Sequence, residues 1–121
     1  CTGLESAHIP PSVTDIGDSA FYGCAGLESV MIPSTVTSIG DFTFTRCTGL
    51  KSVVIPPSVT AIGTAAFSHC AGLESVVIPA SVTVIGDCAF RGCVLLQSVD
   101  ISSVTRIDAR AFDKSVRIIR P

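Results

Sequence analysis

The sequence predicts a solenoid of stacked coils, mainly β, and three observations carry that prediction. Cys1, Cys24, Cys47, Cys70 and Cys93 stand 23 residues apart. Leu4, Leu27, Leu50, Leu73 and Leu96 keep the same step, as do Ile9, Ile32, Ile55, Ile78 and Ile101. A fixed period of about 20–29 residues marks an architecture in which each repeat is one coil and needs neighbours to bury its apolar side.

Residues 24–46 serve as the unit, CAGLESVMIPSTVTSIGDFTFTR. Gly26 suits a left-handed turn position. Leu27, Val30 and Ile32 then form an L-x-x-V-x-I run that reads as a short strand, with Val30 and Ile32 inward and Ser29 and Met31 outward. Pro33, like Pro10, Pro56 and Pro79, cannot donate to a ladder and ends the strand. Val36 and Ile39 flank Thr37 as a second apolar pair, and Gly40 permits the corner. Asp41 is placed as the N-cap of a very short helical or 3₁₀ turn carrying Phe44, with Asp18, Thr64 and Asp87 in the same column.

Three inward columns are uniform: Val13, Val36, Val59, Val82 and Val104; Ile16, Ile39, Ile62, Ile85 and Ile107; Phe21, Phe44, Phe67, Phe90 and Phe112. Each large buried side chain contributes about 1.5–3 kcal/mol. Coils about 4.8 Å apart predict a rod roughly 25 Å long for five of them, in one domain over residues 1–121. The last coil departs from the pattern. Ser102 replaces the proline, a residue is missing before Val104, and Ser115 and Ile118 take the Cys and Leu columns before the chain stops at Pro121. Arg106, Arg110, Lys114, Arg117 and Arg120 make that end basic, so residues 106–121 read as a C-terminal cap. The first coil shows no such cap, and its apolar end is expected to be covered by flanking repeats or a neighbouring subunit. Opening on Cys1 without an initiator Met, the chain reads as a processed or trimmed piece.

The unit C-x-G-L-x-S-V-x-I-P-x-S-V-T-x-I-G-x-x-A-F resembles the BspA-like leucine-rich repeat, the Treponema-type 23-residue class. Cys1–Gly3–Leu4, Ile9–Pro10, Val13–Thr14, Ile16–Gly17 and Ala20–Phe21 recur with little change over essentially the whole chain. The resemblance implies a right-handed leucine-rich-repeat coil stack with the L-x-x-V-x-I strands on its concave sheet. It also implies non-catalytic binding, as in surface adhesins of bacteria and parasitic protists.

Composition narrows the function further. A net charge of −2 attracts neither nucleic acid nor an acidic membrane. With no Trp, one Tyr and no basic stripe, stacked-base recognition is disfavoured. Apolar residues reach 47%, yet no run approaches the roughly 20 residues a membrane span needs. The absence of Asn excludes N-glycosylation. No C-x-x-C, H-E-x-x-H, P-loop or dinucleotide fingerprint occurs, His8 and His69 are several coils apart, and no Ser-His-Asp set recurs at a strand end. The sequence therefore predicts no enzyme, no cofactor and no metal. Five of the six cysteines belong to one inward column and read as small buried hydrophobes rather than disulfides or metal ligands. Cys88 falls instead in the column of Ser19, Phe42, Ala65 and Arg110 and is expected to be partly exposed. The ranks Thr14, Thr37, Thr60, Thr83, Thr105 and Ser6, Ser29, Ser52, Ser75, Ser98 read as hydroxyls satisfying neighbouring backbone. An ice- or water-ordering face is the remote alternative.

The outward strand column varies most: His8, Met31, Val54, Val77 and Asp100. Met31, Val54 and Val77 predict an exposed apolar stripe bordered by Glu28, Lys51, Glu74 and Gln97. An apolar patch rimmed by charge points to a protein contact. Charge is also graded: residues 1–45 hold five acidic groups and no basic one, while residues 106–121 hold five basic and two acidic. The expectation is a non-catalytic protein-interaction module, in adhesion or recognition at a cell surface, or alternatively an accessory subunit of a large assembly.

Overall fold

The computed structural model describes residues 6–102, 105–108 and 110–119 and, for Ala7 and His8, the backbone alone. Cys1, Gly3, Leu4, Val104, Arg120 and Pro121 lie outside those residues, as does the side chain of His8. The strands are β1 (Ser6–His8), β2 (Asp15–Ile16), β3 (Ser29–Met31), β4 (Ser38–Ile39), β5 (Ser52–Val54), β6 (Ala61–Ile62), β7 (Ser75–Val77), β8 (Val84–Ile85), β9 (Ser98–Asp100), β10 (Arg106–Ile107) and β11 (Arg117–Ile119). Every pairing is parallel and joins a strand to its counterpart one coil away, as a coil stack requires. The fold is a mainly β solenoid of about four turns, and no helix occurs among the described residues.

The L-x-x-V-x-I strands alternate as expected. Val30, Val53, Val76 and Val99 are buried between exposed neighbours. They do not form one continuous sheet, however, but pair as β1–β3, β5–β7 and β9–β11. The unbroken ladder belongs to the two-residue strands, in the order β2–β4–β6–β8–β10. Flanking bonds extend it: Thr37 N donates to Thr14 O at 2.7 Å and Gly40 N to Ile16 O at 2.9 Å, and the pattern recurs in later coils.

The predicted helical turn around Phe44 is instead a run of tight turns. Two positions per coil are left-handed: Ser19, Phe42, Ala65 and Cys88 at one, and Gly23, Arg46, His69 and Gly92 at the other. The backbone donors then alternate. Phe42, Phe44 and Arg46 N–H reach Thr64, Ala66 and Ser68 O in the next coil, while Thr45 and Cys47 N–H close local turns on Phe42 and Phe44 O. A helix would turn every donor inward along its own axis and leave none for the neighbouring coil. For the same reason Asp41 is no helix cap. Its carboxylate accepts from Thr64 N at 2.8 Å, and Asp18 accepts from Asp41 N at 2.8 Å, so the column staples one coil to the next.

The Gly26 column is not left-handed either, since the positive φ values among described glycines are at Gly23 and Gly92. Its glycines serve close approach: a Cβ at Gly49 or Gly72 would stand 2.6 or 2.5 Å from Ala25 O or Thr48 O. The missing residue also falls elsewhere. Thr105 N donates to Ser102 O, the bond that Val36, Val59 and Val82 make to Pro33, Pro56 and Pro79. Thr105 is accordingly buried, with its hydroxyl on Val82 O at 2.8 Å, and it leaves the exposed threonine rank for the valine position.

Between the strands and the turns lies the core. Phe44, Phe67 and Phe90 are fully buried, and successive rings from Phe21 to Phe112 stack with centroids 5.0–5.2 Å apart and planes within 10°. Near-parallel rings at that separation are offset, which relieves quadrupole repulsion and adds about 0.5–1.5 kcal/mol per pair to the burial itself.

Candidate interaction surfaces

Because the core consumes one side of each strand, the other side is left to solvent. Met31, Val54 and Val77 are 67%, 64% and 57% exposed, large values for apolar side chains. Register places Met31 beside His8 and Val54 beside Val77, while Asp100 pairs with Ile119. Glu28, Lys51, Glu74, Gln97 and Asp100 are exposed along the stripe. Between β3 and β5 a groove of about 320 Å³ opens, walled by Met31, Val54 and Pro56. It sits where the ladder narrows to Lys51 N donating to Glu28 O at 3.3 Å.

The cysteine column is chemically quiet in its middle and different at Cys24. Cys47, Cys70 and Cys93 are buried free thiols, donating to Phe21, Phe44 and Phe67 O at 3.2, 3.1 and 3.2 Å. Burial pushes the Cys47 thiol up to about 11 and the Cys93 thiol up to about 12, and it raises Cys70 further. Such thiols stay protonated and make poor nucleophiles or ligands. Cys24 is disulfide-bonded, against the expectation of thiols throughout the column. The coil step lies within the Cα range a disulfide can span, so neighbouring cysteines need little more than a favourable side-chain rotation. Among the described residues, no three His, Cys, Asp or Glu side chains come together to hold a metal ion.

The hydroxyl rank serves the backbone. Thr37, Thr60 and Thr83 Oγ1 donate to the carbonyls of Thr14, Thr37 and Thr60 at 3.1–3.2 Å.

A second exposed surface was not legible as one site. On the turn runs, a groove of about 430 Å³ gathers Tyr22, Phe42, Arg46, His69, Cys88 and Arg91. Tyr22 and Phe42 are 49% and 43% exposed, and Phe42 sits at φ 60°, unfavourable for a bulky residue. Cys88 is half-buried there. The signal available in sequence was variety: these columns change from coil to coil as much as the stripe does.

The family model for BspA type leucine rich repeat regions matches residues 1–119 in six copies. No curated protein matches the chain. Among solved structures, a leucine rich repeat protein of T. pallidum is similar with TM-score 0.67 and 29% identity, over 79% of this chain and 58% of that one. A leucine-rich repeat protein of Bacteroides ovatus gives TM-score 0.62 and 28% identity over 86% and 35% of the two chains. A leucine rich cell surface protein of Faecalibacterium prausnitzii gives 0.61 and 27% over 93% and 45%. The chain thus spans 58% or less of the length of each of these structures.

Proposed function

The chain belongs to the BspA-type leucine-rich repeat family, and we propose that it binds a protein partner non-catalytically through the stripe of Met31, Val54 and Val77. The observation that carries the reading is the exposure of three adjacent large apolar side chains on a rigid frame, with Glu28, Lys51 and Glu74 at the border. Burying such side chains against a partner contributes about 25 cal/mol per Å². Exposed rim charges add orientation and speed of encounter more than affinity. Gln97 and Asp100 extend the same surface, and the register of β1 sets His8 beside Met31. Adhesion or recognition at a cell surface is the setting we infer, supported by the likeness to the cell surface protein of F. prausnitzii.

A second reading, an accessory subunit in a larger assembly, is favoured by one observation. Among the described residues strand β11 pairs with β9 alone, and its Ile118 and Ile119 are 41% and 43% exposed. A neighbouring subunit would cover them.

The test is site-specific photo-crosslinking in the source cells, from Val54 and, as control, from exposed Thr60 in the other strand layer. The stripe reading expects one protein captured at fixed stoichiometry from Val54 alone, and capture lost when Met31 and Val77 become Asp. Equal capture from both positions would sink it.

A further inference from the structure

The two exposed surfaces carry opposite charge. Among the described residues no carboxylate lines the turn groove, which holds Arg46, His69 and Arg91 around the exposed rings of Tyr22 and Phe42. Along the stripe, acidic Glu28 and Glu74 flank Met31, Val54 and Val77, with Lys51 as the basic exception. The surfaces share no lining residue.

Their spacing also matches. Glu28 and Arg46 belong to the same coil, and Glu74 and Arg91 belong to the coil two further on. Successive Phe rings of these coils have centroids 5.0–5.1 Å apart, so both pairs repeat roughly 10 Å apart along the axis. Two copies side by side at the same height would set Glu28 against Arg46 and Glu74 against Arg91. Met31 would then be level with Phe42, Val54 with Ala65, and Val77 with Cys88.

We propose that the occupant of the turn groove is the stripe of a second copy of this chain. The contact is heterologous, because each copy offers one acidic and one basic face, and it propagates laterally unless the angle closes a ring. Lys51 is the mismatched member, falling level with His69. The proposal rests on the stripe being a contact surface, but the two readings fail separately. A wild-type chain that stays monomeric while Val54 still captures another protein refutes the self-docking alone.

Analytical ultracentrifugation of the folded chain tests it. Wild type should associate with rising concentration, and the association should weaken roughly tenfold or more between about 0.05 and about 0.5 M salt. Arg46→Glu with Arg91→Glu should abolish association, and so should Glu28→Arg with Glu74→Arg. Mixing the two charge-reversed proteins should restore it. All four positions are exposed, so circular dichroism should show the wild-type fold in both. Independently of the reversals, Lys51→Glu should tighten association, and association should shield Cys88 from alkylation. A monomer at about 0.5 mM, variants that associate like wild type, or a mixture that stays monomeric would overturn the proposal. So would association that leaves Cys88 as open to alkylation as in the monomer, or binding in the groove by RNA in place of a second copy.

Discussion

The phenylalanine ladder and the Met31–Val77 stripe keep the same 23-residue rhythm and meet opposite fates. In the ladder one ring recurs from Phe21 to Phe112, each within 5.2 Å of the next. In the stripe the chain writes Met31, Val54, Val77 and then Asp100, all exposed. A ring stacked between two identical rings has one shape that fits, because neighbouring coils supply both walls of its site. A side chain on the outer face of a strand has no wall above it, so its identity is open to whatever docks there. Uniformity along a column therefore reports self-contact, and variety marks a column that self-contact leaves free.

Breaking the ladder should have the largest effect. Phe67→Ala removes the stacks to both Phe44 and Phe90 and opens a cavity in the middle of the core. We expect a loss of about 3–5 kcal/mol in urea unfolding. Next comes the close approach between coils. A Cβ at Gly63 would stand 2.5 Å from Asp41 Oδ1 and 2.7 Å from Gly40 C, so Gly63→Ala should lower stability by about 1–3 kcal/mol in the same assay.

The thiols give a pH test with a definite sign. The Cys47 thiol rises from 9.0 to about 11 on burial, and Cys93 rises to about 12. The unfolded chain ionises these groups more readily than the folded one. Their contribution is therefore whole below about pH 9 and is lost as pH climbs toward 11 and 12. Unfolding midpoints should fall over that window, and Cys70→Ala should make the fall shallower. A midpoint that rises between pH 9 and 11 would contradict the burial of these thiols.

Much of this contrast was legible in sequence because burial repeats the same letter. The Phe and Ile columns, the Val column as far as Val82 and the strand alternation around Val30 and Val53 followed from period and alternation. The turn runs did not, because their geometry is set between coils. Most of the left-handed residues are not glycine, as Phe42, Ala65 and His69 show, and they are held there by donors that alternate between local turns and the next coil. Asp41 looked like a local cap because a capping carboxylate and an inter-coil staple use the same side chain. Cys24 and Cys47 are likewise one letter in one column, and only the structure separates a disulfide from a thiol. The stripe residues were readable one by one. The turn groove was not, since Tyr22, Arg46, His69 and Arg91 come from four coils and two columns.

Among the described changes, Val54→Asp should disturb the fold least, since an exposed strand position away from the core costs within about 0.5 kcal/mol. The most direct measurement is urea unfolding of Phe67→Ala and Val54→Asp side by side with wild type. A partition of each coil into a self-contacting inside and a free outside predicts a large drop for Phe67→Ala and a wild-type midpoint for Val54→Asp. Equal destabilisation of the two would contradict it.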